Sequence, residues 1–332
     1  MPHTILVTAS KLAPAGMRRL EEAQCRVLLL NDADSTEELD TLMATEPVDA
    51  VISRTIALSA KAIASCPTLK VISKHGVGVS NIDVAAATAR GIPVFVTPGA
   101  NAQSVAEMTL GLMFSAARRI AWMDGELRAG RWTRAQDGLQ LQGRTLGLVG
   151  FGQIGQRVAG VCLALGMRVA AFDPALGSRN PFPQVELVSS IEELLPQCDV
   201  LSLHVPLTAR TRGMIGAAQL QMLPPGAIVI NTARGEVIDE GALIDALESR
   251  RLFAAGLDTM AIEPLPTDSA LLRLANVVLT PHVGGSTPDA LAAMASGAAD
   301  NVLRWLDGES IDSASCVNPQ VLAASTINER TA

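Results

Sequence analysis

The run Val149-Gly150-Phe151-Gly152-Gln153-Ile154-Gly155 constrains this chain more than any other. It joins an apolar, strand-like stretch at 145–149 to a helical pattern at 153–165. Glycines at Gly150, Gly152 and Gly155 serve, in turn, a tight strand-to-helix reversal, the approach of backbone to a pyrophosphate, and close packing of helix on strand. The spacing alone recurs in many glycine-rich chains, so its weight comes from context. A second strand-like run, 168–172, ends in Asp173, where a carboxylate accepts hydrogen bonds from the two hydroxyls of an adenosine ribose. The expected ligand is a nicotinamide dinucleotide. A carboxylate at that point repels the additional phosphate of NADP, which usually calls for an Arg, so NAD is expected as the cofactor. Arg179, in Ser178-Arg179-Asn180, either softens that preference or belongs to a solvated loop.

Short apolar, β-branched runs alternate with helical patterns along the chain, which predicts a parallel α/β architecture. Strands are expected at 4–9, 27–30, 50–53, 70–73 and 93–97, all before the glycine turn. They predict a domain of their own. From the turn onward, runs at 145–149, 168–172, 200–205, 227–232, 253–258 and 277–280 predict a six-stranded doubly wound sheet. One Ala-rich helix at 288–306 is too little to fold alone and must dock on something already built. The economical arrangement is a Rossmann dinucleotide-binding domain, 102–287, inserted into a flavodoxin-like α/β substrate-binding domain formed by 1–101 and the return helix in 288–332. A helix at 102–120 would cross outward, leaving a cleft between the domains. The Ser/Ala-rich tail from 313 is expected to be partly disordered.

The 332 residues are 48% hydrophobic and 18% charged, enough to bury two cores. A formal net charge of -7 and the lack of a basic stripe argue against nucleic acid as a partner. Cys25, Cys66, Cys162, Cys198 and Cys316 form no CxxC pair, and their odd number suits a reducing cytoplasm. Neither a signal sequence nor a membrane span is expected. No His, Cys and carboxylate grouping has metal-ligand spacing, so no metal is expected.

Three polar groups stand where apolar strands end: Arg234 in Asn231-Thr232-Ala233-Arg234-Gly235, Glu263 before Pro264-Leu265-Pro266, and His282 in Thr280-Pro281-His282-Val283-Gly284-Gly285. In an open α/β sheet those ends face the ligand crevice. Arg234 suits a bidentate clamp on a substrate carboxylate, His282 an acid that protonates a carbonyl oxygen as hydride arrives, and Glu263 a partner that fixes the imidazole tautomer. Taken singly, they read as a surface ion-pair residue, a solvated loop acid and a strand-end histidine. Together they describe an active site.

With these segments in view, the chain resembles the D-2-hydroxyacid dehydrogenase family in its phosphoglycerate dehydrogenase-like branch. The resemblance is carried by Ser73-Lys74-His75-Gly76-Val77-Gly78-Val79-Ser80-Asn81-Ile82-Asp83, the glycine turn, His204-Val205-Pro206-Leu207-Thr208, 231–240, Glu263-Pro264-Leu265-Pro266 and 281–286. It implies that Arg234, Glu263 and His282 are catalytic and that Gly76 and Val77 offer backbone N–H groups to the substrate carboxylate. It also implies a cofactor site lined by Gln153, Ile154, Asp173, His204, Pro206, Thr211, Thr232, Ala233, Asp258, His282, Gly284 and Gly285, with Asp258 near the nicotinamide amide. Ser80 stands where the branch commonly has Asp, and Met260-Ala261-Ile262 replaces a more familiar Val-Phe stretch. Glu263, where relatives that oxidise formate are expected to carry Gln, disfavours formate oxidation. His75 is read either as a neighbour of the substrate loop or as a structural residue.

The implied substrate is a small 2-keto acid. A second anionic group on it would call for further positive charge, and Arg54 and Lys74 are the candidates, the other reading being ordinary rim charges. The family implies a homodimer through the 102–120 region, where Met108, Leu112 and Met113 suit either a partner or the core. A different class of function on the same fold is a catalytically silent NAD-sensing corepressor or binding module.

Overall fold

The computed structural model describes residues 2–134, 137–177 and 180–323. The chain divides into two compact units, one comprising 1–101 with 287–332 and the other 102–286.

The first unit carries β1 (Thr4–Val7), α1 (Pro14–Glu22), β2 (Arg26–Leu29), α2 (Thr36–Thr45), β3 (Ala50–Ser53), α3 (Ala60–Ser65), β4 (Val71–Lys74), α4 (Val84–Ala89) and β5 (Val94–Phe95). Its five strands are parallel in the order β2-β1-β3-β4-β5, the flavodoxin-like order. Every residue of β1, β3 and β4 is buried, which is why these segments read as unbroken apolar runs and not as alternating ones. Ser35, Ser59 and Asp83 cap α2, α3 and α4 by accepting from the backbone N–H three residues on.

The second unit begins with α5 (Ala102–Arg118) and α6 (Ile120–Arg128), continues through β6 (Thr145–Val149), α7 (Gln153–Ala164), β7 (Arg168–Phe172), β8 (Glu186–Leu187), α8 (Ile191–Leu194) and β9 (Val200–Leu203), and ends with α9 (Ala217–Met222), β10 (Ala227–Asn231), α10 (Glu240–Glu248), β11 (Leu252–Leu257) and β12 (Val277–Leu279). Its sheet has seven parallel strands, β12-β11-β10-β9-β6-β7-β8, the Rossmann order with one strand more than the six expected. The missed strand is β8, two residues long at the sheet edge, too short to carry a periodic signal. The helix expected at 102–120 ends at Arg118, and Arg119 takes a left-handed conformation with φ 54° before α6 begins.

The chain returns to the first unit through α11 (Pro288–Leu306). Ala290, Met294, Ala295, Ala298, Ala299 and Val302 form its buried face. The small side chains allow a close approach to α1: a Cβ on Gly16 would lie 2.8 Å from Ala295. Burial of Met294 and Val302 contributes about 1.5–3 kcal/mol each. Of the tail expected to be partly disordered, the part beyond 323 lies outside the described residues, and 313–323 is seated on the first unit. There Val317 donates to the Val94 carbonyl at 2.8 Å, and Asn318, 1% exposed, accepts from the Val94 N–H at 2.8 Å and donates to Thr88 and the Ile92 carbonyl. A buried amide with all these partners fixes the segment to the β5 edge. None of the five cysteines is paired, and among the described residues no helix is long and apolar enough to cross a membrane.

Candidate active site

Because β6, β7, β9, β10, β11 and β12 run parallel, the loops after them leave from one edge of the sheet. That edge carries the glycine turn, Asp173, His204, Thr232 to Arg234, Asp258 and His282.

The three glycines of the turn do different work. Gly150 has φ +93°, and a Cβ there would lie 2.6 Å from the His204 carbonyl oxygen; one on Gly155 would lie 2.6 Å from the Gly150 carbonyl oxygen. Both are required by the protein's own packing. A Cβ on Gly152 would meet no protein atom within 4 Å. Gly152 also begins α7 without a side chain to cap it, leaving the first-turn N–H groups of Gln153 and Ile154 directed along the helix axis. Open space over uncapped amides at the positive end of a helix fits a phosphate group. Asp173 is tied to the same turn, Oδ2 accepting from the Phe151 N–H at 2.8 Å and Oδ1 from the Ala175 N–H at 2.9 Å. A carboxylate has about four acceptor positions, so room remains for ribose hydroxyls. Arg179 lies outside the described residues.

Around the rest of the edge the expected cofactor-site residues are engaged by their neighbours. His204 Nε2 lies 2.9 Å from Ser202 Oγ, and burial pushes the imidazole down to about 4, so the ring is neutral at pH 7. Thr211 Oγ1 donates to the Pro206 carbonyl at 2.6 Å and accepts from the Thr208 N–H, fixing that turn. Thr232 Oγ1 lies 2.8 Å from Thr109 Oγ1 of α5, and the Ala233 N–H donates to Asn231 Oδ1 at 3.0 Å. Asp258 is 2% exposed; its Oδ1 accepts from Thr280 Oγ1 at 2.6 Å and the Val283 N–H at 2.9 Å, its Oδ2 from the Gly284 N–H at 2.8 Å. Asp258 thus clamps the loop that presents His282. Gly284 is the residue that permits this, since a Cβ would lie 2.8 Å from Asp258 Oδ2. Gly285 follows in the same loop.

His282 sits at φ 54°, a left-handed conformation uncommon outside glycine. Its N–H donates to the Asp258 carbonyl at 2.8 Å, so the strained residue is held by the buried clamp. Its Nδ1 lies 2.7 Å from Glu263 Oε2, with the imidazole side chain 44% exposed. The Nδ1–H donates to this carboxylate, which fixes the tautomer and leaves Nε2 as the other ring nitrogen. Glu263 Oε1 accepts from the Met260 N–H at 3.0 Å. Burial opposes ionisation of Glu263, but hydrogen bonds from His282 and Met260 and the nearby charges of His282 and Arg234 hold its carboxyl below the ordinary value.

Arg234, half-buried just beyond β10, donates to the Ala233 carbonyl at 2.5 Å. Burial draws its guanidinium below the ordinary value, against the opposing charges of Glu263 and Glu236. One backbone contact leaves most of the five guanidinium donors for a ligand. Gly235 is a requirement that the sequence did not reveal: a Cβ there would lie 1.9 Å from the Met260 carbonyl carbon, so the Arg234 and Glu263 loops touch through a bare Cα.

The expected substrate residues of the first unit are placed as follows. Lys74, 9% exposed, donates through Nζ to Asn81 Oδ1 at 2.6 Å and to the Arg54 carbonyl, joining two loops. Arg54 donates to the Lys11 carbonyl at 3.5 Å, and burial lowers its guanidinium. The Gly76 N–H already donates to Thr97 Oγ1 at 3.1 Å, whereas Val77 is 47% exposed. His75 is 7% exposed with no hydrogen-bond partner for Nε2, and its imidazole is pushed down to about 4 by burial and then by Arg54, with Lys74 adding to it. Leu112 and Met113, read as partner-facing or core, are 2% and 0% exposed within their own unit.

The family description "D-isomer specific 2-hydroxyacid dehydrogenase, NAD binding domain" matches residues 110–284. D-3-phosphoglycerate dehydrogenase of Mycobacterium leprae is 39% identical over 317 residues, covering 95% of this chain and 59% of that protein, so the chain spans little more than half the relative's length. Hydroxypyruvate reductase of Thermotoga maritima is 45% identical over 260 residues, 76% of this chain and 83% of that one. Among solved structures, the TT0316 protein of Thermus thermophilus superposes with a TM-score of 0.86 at 36% identity, covering 95% of this chain and 99% of its own.

Proposed function

Because this chain belongs to the D-isomer specific 2-hydroxyacid dehydrogenase family, we propose that it catalyses reversible, NAD-dependent reduction of a small 2-keto acid to the D-2-hydroxy acid. The observation that carries the reading is the 2.7 Å contact between His282 Nδ1 and Glu263 at the strand edge that also bears Arg234. Arg234 binds the substrate carboxylate and so orients the neighbouring carbonyl. His282 delivers the Nε2 proton to the carbonyl oxygen in reduction and removes it in oxidation, while Glu263 fixes the tautomer and balances the imidazolium charge. NADH, when bound across Gly152 and the α7 N-terminus with its ribose at Asp173, supplies the hydride.

The names of the relatives point to phosphohydroxypyruvate, hydroxypyruvate and glyoxylate as the substrates to try first. Arg54 is our candidate for a distal anionic group, and the exposed backbone at Val77 for the carboxylate. The protein is taken to work in a reducing cytoplasm as a homodimer. For the second copy we favour the α6 region over α5, since Ile120 and Leu127 are each 54% exposed and the nearby Trp132 is 76% exposed.

A panel of 2-keto acids assayed with NADH and with NADPH tests this reading. At least one substrate should be reduced faster with NADH, and His282→Gln should lower kcat by about 10³-fold while NADH still binds. No turnover across the panel with intact NADH binding would instead support an NAD-sensing binding module.

A further inference from the structure

We propose that Glu240 is a positioning residue for Glu263: it holds the turn after β11 so that the Glu263 carboxylate meets His282. The kinetic arm of the proposal rests on the dehydrogenase reading above, the structural arm on geometry alone.

Glu240 is the first residue of α10, where an acidic side chain ordinarily serves its own helix. That task is already filled by Asp239, whose carboxylate accepts from the Ala242 N–H at 3.1 Å. Glu240 Oε2 instead accepts from the Ala261 N–H at 3.0 Å, 21 residues along the chain. The amide belongs to a turn that has left the sheet, so no strand neighbour satisfies it. Packing does not secure the apex either, since Ile262 is 63% exposed.

The turn is therefore held by two carboxylates on two successive amides. Glu263 takes the Met260 N–H with Oε1 at 3.0 Å, and Glu240 takes the Ala261 N–H. Gly235 closes a further side, because the Met260–Ala261 peptide rests on its bare Cα. The Glu263 bond alone moves with the turn it spans, from 260 to 263. The Glu240 bond ties the same turn to the start of α10, and α10 begins six residues after Arg234. Hydrogen bonds from an amide to an ionised carboxylate are among the stronger neutral-to-charged contacts, so its loss frees the turn to sample other geometries. The imidazole would then lose a fixed partner, although the bond Glu240 makes is to the turn and not to His282.

The test compares Glu240→Ala, Glu240→Gln, Glu263→Gln and the double variant E240A/E263Q. Amide hydrogen exchange over 259–263, without substrate, should quicken about tenfold in E240A and remain near wild type in E240Q, which keeps an acceptor oxygen. The kcat of E240A should fall about tenfold with KM for the keto acid and Kd for NADH nearly unchanged, and E240Q should recover most of it. In the E263Q background E240A should cost little more, because its effect passes through Glu263. If E240A fails to fold, Glu240→Ser, too short to reach Ala261, takes its place. Unchanged exchange, a full multiplicative loss on top of E263Q, or a matching loss of NADH affinity would overturn the proposal. If the wild type reduces no keto acid, the dehydrogenase reading fails while the exchange comparison still decides whether Glu240 holds the turn.

Discussion

At the carboxyl edge of the seven-stranded sheet, Glu263 and His282 hold each other at 2.7 Å, and the imidazole keeps 44% of its side-chain surface exposed. At the carboxyl edge of the five-stranded sheet, Lys74 is 9% exposed with its ammonium on Asn81 and the Arg54 carbonyl, and the Gly76 N–H is bonded to Thr97. Both edges place charge where parallel sheets bind ligands. They differ in what the charge is left to do. In the second unit, structural bonds orient a group that stays exposed: Asp258 holds a loop, and His282 is presented by it. In the first unit, Lys74 and the Gly76 N–H already tie the fold together, and Arg54 is the cation with the weakest internal contact among those proposed. Charge at a strand end is thus a necessary sign of a site. Which of its donors the fold already occupies decides the function.

The glycine turn offers the sharpest way to break that contrast, because it holds both kinds of residue within six positions. Gly150→Ala should cost about 3 kcal/mol, since a Cβ would meet the His204 carbonyl oxygen at 2.6 Å with φ at +93°. Gly152→Ala, with nothing within 4 Å to meet, should leave Tm near wild type yet weaken NADH binding roughly tenfold or more by intruding on a phosphate. Thermal unfolding and NADH titration of both variants check this. If G152A unfolds as readily as G150A, Gly152 is structural.

His75 tests the comparison from the buried side. Its imidazole is neutral in the folded protein, pushed down to about 4, while an unfolded histidine titrates near 6.5. Between those values the unfolded chain binds more protons, so stability is complete above about pH 6.5 and is lost as pH falls toward 4. His75 alone contributes up to about 3 kcal/mol of that loss, by the linkage of shift to stability. His204, also pushed down to about 4, adds in the same direction. Denaturant unfolding from pH 7 to pH 4.5 should therefore show falling stability, flattened in His75→Leu. Leucine also removes the buried Nε2 that has no partner, so that variant should match or exceed wild type at pH 7. Equal pH slopes for the two proteins would show that His75 does not stay neutral.

These outcomes bear on what a sequence can disclose. The parallel strands were legible because strands buried on both faces are apolar runs, and the order of the runs around the glycine turn fixed the Rossmann topology. The two-residue β8 was not, and neither was the seating of the tail, where polar composition suggested disorder but Asn318 is buried with its bonds satisfied. Within the candidate site, residue types at strand ends brought out Arg234, Glu263 and His282. The internal bonds of Lys74 and Asp258 were not legible, because their partners lie seven and twenty-six residues away. Glu240 had no local signal at all, for its bond crosses 21 residues to an amide that any residue could supply.

The smallest expected effect decides whether the first unit reads the substrate. Arg54 follows β3 with one long contact to the Lys11 carbonyl, and its guanidinium is held below its ordinary value by burial, a desolvated cation that an anion would satisfy. Lys74 instead bridges loops. Arg54→Ala should therefore lower kcat/KM for phosphohydroxypyruvate and sulfopyruvate about tenfold relative to hydroxypyruvate and glyoxylate, with Tm little changed. Lys74→Ala should reverse the pattern, lowering Tm by the loss of a buried, bonded ammonium while the ranking of substrates stays put. Measured on one panel, the two variants separate a ligand contact from a clamp. If both shift the ranking alike, the division drawn between the two strand edges is wrong for Lys74; if neither does, the far end of the substrate is not recognised by these cations.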